Sequence, residues 1–312
     1  MKPVRPLIFS AQDLGKGHLE SFHGGRAFLR LLRSVGETFS TVLLAHAARP
    51  GSRTVIQEVS RLISAMGMNV FLARVPAPVI ALSQELGRRS MPLGLYLNET
   101  SDNDWSLTPV ALHGGPVDDD MPAGTGNEPL SRNGVVGEVE ILGSYVKRLA
   151  GLLDPRPEPG IRFSRLESPF PQISEMLAGP DGPRILQEFD PQGPIARVDP
   201  SGQSLTVELP SGKFLSSEKL VQMVGTYLTR ERASTGTIVG PPGTAALAAG
   251  WGEIVEVDGD ALDMSHAAGY VNLLLGWWEP GIIAHQGHGP FGDGFLTAGY
   301  LLEAWAASPP TF

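Results

Sequence analysis

Two hydrophobic periods alternate along this chain. Over residues 24–35 the apolar positions Ala27, Phe28, Leu31, Leu32 and Val35 recur at helical spacing. Residues 41–48 (TVLLAHAA) form a short continuous apolar run, which predicts a strand buried on both faces. The helical period returns over 52–66 through Val55, Val59, Leu62 and Ile63, with Gly67 placed to cap the helix end. Residues 69–74 read as a strand, 78–87 as a helix and 93–97 as a strand. Strands alternating with helices in this way predict βαβ units and a mostly parallel sheet.

Downstream, 114–132 reads as a surface loop around Asp118, Asp119 and Asp120, and 135–153 as one long helix. Residues 154–160 (DPRPEPG) have linker chemistry, and 168–194 carries few regular signals. Residues 195–198 and 204–209 predict a hairpin around Asp199-Pro200-Ser201-Gly202. A helix follows over 216–229, with Ser216 or Ser217 as its N-cap. Strands are expected at 237–239 and 253–257, a short helix at 244–249, and a last helix at 294–307. The fold class is α/β, with tandem α/β domains whose mixed sheets are flanked by helices.

Composition narrows the function. The 312 residues are 42% hydrophobic and 18% charged, as expected of a globular chain with a sizeable core. The formal net charge is -9, which argues against a nucleic-acid partner, because such partners select a basic face. With no cysteine there is no thiolate nucleophile, disulfide framework or Cys-ligated metal. The N-terminal apolar run is too short for a signal peptide, and the apolar stretch 270–284 is broken by Gly276, Glu279 and Pro280. Cytoplasmic location and no membrane contact are the resulting expectations.

Three segments carry a family likeness. In VLLAHAARPGSRTVIQEVSRLISAMGMNVFLARVPAPVIALSQEL, the residues Ala45, Ala47, Arg49 and Ser52 stand near the places of a strand-ending G-x-D-x-R-x-S. SGKFLSSEKLVQMVGTYL from Ser211 is similar to a G-x-x-L-x-x-D-x-L passage, and GHGPFGDGFLTAGYLLEA from Gly287 to an S-G-H…D-G-I segment. In this order they resemble the phosphohexomutase superfamily (phosphoglucomutase, phosphomannomutase and phosphoglucosamine mutase). The resemblance implies phosphohexomutase-like domain I over 1–153, a truncated domain-II-like segment over 154–212 and a domain-III-like part over 213–312. The family's fourth domain would begin where the chain stops, so a degenerate member without that domain is expected.

That family needs a phosphorylated serine, a Mg²⁺ held by carboxylates and loops that grip the sugar. The phosphoserine place falls on Thr100, or on Ser101 with a slip of one residue. Glu99 and Asp102 flank it with like charge, and the segment also reads as a polar turn. The metal loop D-G-D-x-D-R corresponds to Asp199-Pro200-Ser201-Gly202-Gln203-Ser204, which keeps one carboxylate of three. Asp-Pro-Ser-Gly is equally a type I turn, and one carboxylate makes a poor Mg²⁺ site. The sugar loop G-E-x-S-G-H falls on His285, Gln286, Gly287 and His288, with its Glu and Ser replaced. The N-terminal loop falls on 10–16, without the family's Gly, Thr and Arg. Asp258-Gly259-Asp260 resembles the metal loop in spelling but follows the wrong strand, and Gly240–Gly250 has glycines between strand and helix, a phosphate-binding arrangement.

These replacements lead to the expectation of a catalytically impaired phosphohexomutase homologue that acts by binding, as a regulatory or scaffolding partner. The alternative is a residual sugar-phosphate mutase, or another sugar-phosphate-binding enzyme, in the same cleft. No cofactor is expected, with Mg²⁺ required if mutase activity survives. A homo-oligomer or a protein partner is expected through the C-terminal aromatic region (Trp251, Trp277, Trp278, Trp305 and Phe312), with a sugar phosphate as the candidate small ligand.

Overall fold

The computed structural model describes residues 2–309, apart from 11–13, 15–24, 26–27, 33–40, 101–103, 113, 118–132, 155–160 and 279. Most of the expected loop 10–16, Ser101, most of loop 114–132 and most of linker 154–160 therefore lie outside the described residues, as does part of the helix expected over 24–35, of which 28–32 is helical. The chain divides into two compact units, Met1–Ile141 and Leu142–Phe312.

The first unit holds one six-stranded sheet. Its strands are β1 (Leu7–Phe9), β2 (Thr41–His46), β3 (Asn69–Ala73), β4 (Leu93–Glu99), β5 (Trp105–Ala111) and β6 (Val136–Val139), in the order β1-β5-β4-β2-β3-β6. β4, β2, β3 and β6 run parallel, and β5 returns antiparallel beside β4. The continuous apolar run of β2 is explained by its central place, with Val42, Leu43, Leu44 and Ala45 all at zero exposure. Helix α1 (Ser52–Ala65) lays Val55, Ile56, Val59 and Ile63 onto this sheet, and α2 (Val79–Arg89) begins right after Pro78. Each fully buried Val, Leu or Ile here is worth roughly 1.5–3 kcal/mol of transfer free energy.

Residues 135–153 differ from the sequence reading. The single helix expected over 135–153 is a strand followed by a helix: Val136–Val139 pairs in parallel with β3, and α3 (Leu142–Leu152) starts three residues later. Val136 and Val139 suit a helical stripe, but the unpaired edge of β3 offers them a ladder of backbone hydrogen bonds.

The second unit holds two sheets. β7 (Arg165–Glu167), β8 (Ile195–Val198) and β9 (Leu205–Glu208) form a three-stranded sheet in which β8 and β9 are the expected hairpin. A helix not expected from sequence, α4 (Pro171–Ala178), lies in the stretch between β7 and β8. Helix α5 (Ser217–Arg230) is capped by Ser216, whose side chain accepts from Lys219 N. The four-stranded sheet runs β11-β10-β12-β13, from β10 (Thr237–Gly240), β11 (Glu253–Glu256), β12 (Leu273–Trp278) and β13 (Ile282–His285). The short helix α6 (Thr244–Leu247) follows β10, and α7 (Ala261–Gly269) precedes β12. Trp277 and Trp278 are buried on β12. The last helix, α8 (Gly294–Ala307), is buried from Gly294 through Trp305, which is why its sequence is apolar on every side.

Candidate functional site

The turn that would stand for the metal loop joins β8 to β9, and its carboxylate is fully engaged. Asp199 Oδ2 accepts from Ser201 N at 2.9 Å and Ser201 Oγ at 2.5 Å, while Oδ1 accepts from Ser204 N at 2.7 Å. Gly202, at φ 76, donates its N–H to the Asp199 carbonyl at 2.9 Å. That left-handed conformation is one glycine adopts without cost. Mg²⁺ asks for an octahedral shell of oxygens, and a single carboxylate already spent on its own turn does not fit it. Among the described residues, no group of three His, Asp or Glu side chains is placed to share an ion.

The same turn sits beside the loop expected to select the sugar. Gly202 O accepts from Gly294 N at 2.9 Å, and Leu205 N donates to Gly281 O at 3.1 Å. In that loop His285 and His288 are buried, while Gln286 and Gly287 remain at least partly exposed. His285 Nε2 lies 2.8 Å from Thr297 Oγ1, and its ring meets the Tyr300 ring edge-on with centroids 5.1 Å apart. Burial pulls its pKa down to about 3, so the imidazole is neutral. Gln286 Nε2 donates to Thr235 O at 3.0 Å. Gly287, at φ 67, gives its carbonyl to the Arg148 guanidinium. His288 Nε2 stands 2.5 Å from Asp293 Oδ2.

Asp293 was not singled out by the sequence, although it begins the D-G pair before the last helix. It is at zero exposure and caps α8, accepting from Phe295 N at 2.9 Å and Leu296 N at 3.0 Å. Tyr145, from α3, donates its hydroxyl to the same carboxylate at 3.0–3.1 Å. Burial first, and the Asp293 charge second, push the phenol well above its usual pKa, so it remains a donor. Nothing in the sequence around Tyr145 marks it for this role.

Thr100 lies in the first unit, at the end of β4. Its hydroxyl donates to Asp104 O at 3.0 Å, and its N–H donates to the same carbonyl at 2.7 Å. The residue therefore closes the β4–β5 turn, and Glu99 beside it faces Arg49 at 3.7 Å. At the end of the neighbouring strand, His46 Nδ1 lies 2.9 Å from Ser52 Oγ. Ser52, one of the motif-matching residues, is 1% exposed and also donates to Ala47 O. Burial lowers the His46 pKa. This buried pair escaped the sequence reading because His46 sits inside an apolar run.

Two other loops are closed by their own side chains. Asp260 caps α7 in a capping box with Asp263, so the Asp-Gly-Asp sequence serves a helix start. In the Gly-rich segment after β10, Glu256 Oε1 accepts from Gly243 N at 3.0 Å and Ala245 N at 2.8 Å. A carboxylate of the chain thus fills the place a phosphate would take.

No protein-family model and no curated protein sequence matches the chain. Solved structures do match it in three dimensions. A presumed phosphomannomutase of Thermus thermophilus superposes with a TM-score of 0.76 at 17% identity, over 98% of this chain and 79% of that one. A phosphoglucomutase/phosphomannomutase family protein of Burkholderia thailandensis gives 0.65 at 13%, over 98% and 76%. Parafusin, a phosphoglucomutase of Paramecium, gives 0.67 at 12% in its open form, over 100% and 72%. The chain has the α/β fold of the phosphomannomutase and phosphoglucomutase proteins.

Proposed function

We propose that this protein is a phosphohexomutase homologue that has kept the scaffold and acts by binding rather than by phosphoryl transfer. One observation carries the reading: polar groups at the family's reactive positions are spent on the protein's own structure. Asp199 holds its own turn, Thr100 closes a hairpin, and His288 is sealed against Asp293. A phosphoryl-transfer site needs polar groups aimed at where charge develops in the transition state, and these groups are turned to the chain itself. On this reading the protein is a cytoplasmic regulatory or scaffolding partner that self-associates, a state that light scattering reads directly.

The fold likeness favours a second reading, a residual sugar-phosphate mutase using Thr100 or Ser101. Incubation with glucose 1,6-bisphosphate and Mg²⁺, followed by intact mass and phosphopeptide mapping, separates the two. The first reading expects no added phosphate on folded protein. One phosphate on Thr100 or Ser101 would sink it and establish the mutase.

A further inference from the structure

The second unit carries a cavity of about 510 Å³ between α5, the last turn of α8 and the segment from Leu247 to Trp251. That volume is in the range of small-molecule sites. Its walls are Met223 on α5, Leu247, Trp251 and Trp305. Trp251 is set in an unusual way. A Cβ added to Gly225 would meet three consecutive atoms of the indole's six-membered ring, Cζ3 at 2.1 Å, Cη2 at 2.4 Å and Cε3 at 2.6 Å. The central atom is nearest and its two neighbours are only slightly farther, which places the ring face-on over the helix backbone. Gly225 thus lets the indole lie flat on α5, and the remaining surface of Trp251 lines the cavity.

The charges are as informative as the walls. Lys219 stands at one end of the α5 face and Glu231 at the other, twelve residues apart and so separated by about 18 Å along the helix. Both are exposed, and neither makes an ion pair among the described residues. An anionic group is attracted at the Lys219 end and repelled at the Glu231 end, so the two charges give the cavity a direction. Between them Met223, Tyr227 and Trp251 stand beside the polar Gln222 and Thr226, and the aromatic and thioether part suits a flat ring system.

We propose that this cavity is a binding site for a small anionic aromatic amphiphile, its ring system against Trp251 and Met223 and its anionic group at Lys219. None of the lining residues is one of the reactive positions Thr100, Ser101, Asp199 or His285–His288, so the inference stands whether or not phosphoryl transfer survives.

The test uses the whole chain and two probes, 8-anilinonaphthalene-1-sulfonate and its uncharged analogue N-phenyl-1-naphthylamine, titrated by probe fluorescence and by tryptophan quenching. Expected is one sulfonate probe per chain, with the neutral analogue binding about tenfold more weakly. Lys219→Glu should weaken the sulfonate about tenfold and leave the neutral probe within twofold. Ala307→Trp, on an exposed position of the cavity rim, should block both probes while circular dichroism stays unchanged, and Met223→Glu should weaken both from the opposite wall. The proposal is overturned if no probe binds, if both probes bind Ala307→Trp normally, or if Lys219→Glu weakens both equally. It is likewise overturned if Ala307→Trp converts a dimer to a monomer in light scattering, because a second copy would then be the occupant.

Discussion

Asp293 Oδ2 and His288 Nε2 stand 2.5 Å apart, and both side chains are completely enclosed. The other oxygen of the carboxylate takes the first two free amides of α8, and Tyr145 reaches both oxygens from α3. One buried acid therefore ties the loop 286–293, a helix start and a second helix to a single point. Burying a carboxylate is unfavourable unless its lone pairs are all used, and here four donors use them.

Asp293→Ala should accordingly be among the most damaging single changes in the second unit. It strips the α8 cap and leaves His288 and Tyr145 buried without their partner. A loss of about 3–5 kcal/mol is expected, read by urea denaturation. A loss below about 1 kcal/mol would mean that the cluster is not a structural junction.

Asp199→Ala should act on stability and not on metal affinity. Losing three hydrogen bonds in a half-buried turn should cost roughly 1–2 kcal/mol. Added Mg²⁺ should leave the melting temperature of both the parent and the variant where it was. A Mg²⁺-dependent rise in the parent that vanishes in the variant would restore Asp199 as a metal ligand.

His285 gives a pH dependence of known sign. Its folded pKa, about 3, lies below the ordinary 6.5, so the unfolded chain takes up a proton that the folded one refuses. The stability it contributes is complete above pH 6.5 and is lost as pH falls toward 3, by up to about 1.4 kcal/mol per pH unit. Denaturation between pH 7 and pH 4 should show that extra slope in the parent relative to His285→Gln, which keeps a partner for Thr297 without a titrating group. Parallel curves for the two proteins would refute the assignment.

Gly225→Ala should be destabilising although alanine is the better helix former. The new methyl would stand 2.1 Å from the Trp251 ring, so the indole must lift off the helix, at a cost of about 1–3 kcal/mol. Tryptophan emission should shift as the ring moves, and Gly225→Ala combined with Trp251→Ala should recover much of the loss.

Local chemistry is legible where it is self-sufficient. The last helix runs over Gly294–Ala307 as its sequence predicts, and the turn chemistry of Asp-Pro-Ser-Gly appears in the structure as a self-bonded turn. The strand β2 declares itself by an unbroken apolar run. Residues 136–139 mislead because two valines three apart suit a helix as well as an edge strand. What decides between them is β3, whose Val70 pairs with Val136 across 66 residues of chain. Helix α4 is hidden because it opens on Pro171, which reads as a breaker and serves here as a first helical residue.

The α/β class, the order of most elements and the family likeness thus follow from the chain's own period, propensity and short motifs. What the polar groups do was settled only by folding. Tyr145 reaches Asp293 over 148 positions, Glu256 fills a glycine-rich loop from the next strand, and Trp251 lies on Gly225. Such pairings depend on which elements become neighbours once the core closes, and the period along one segment carries no information about the side chains that arrive from another.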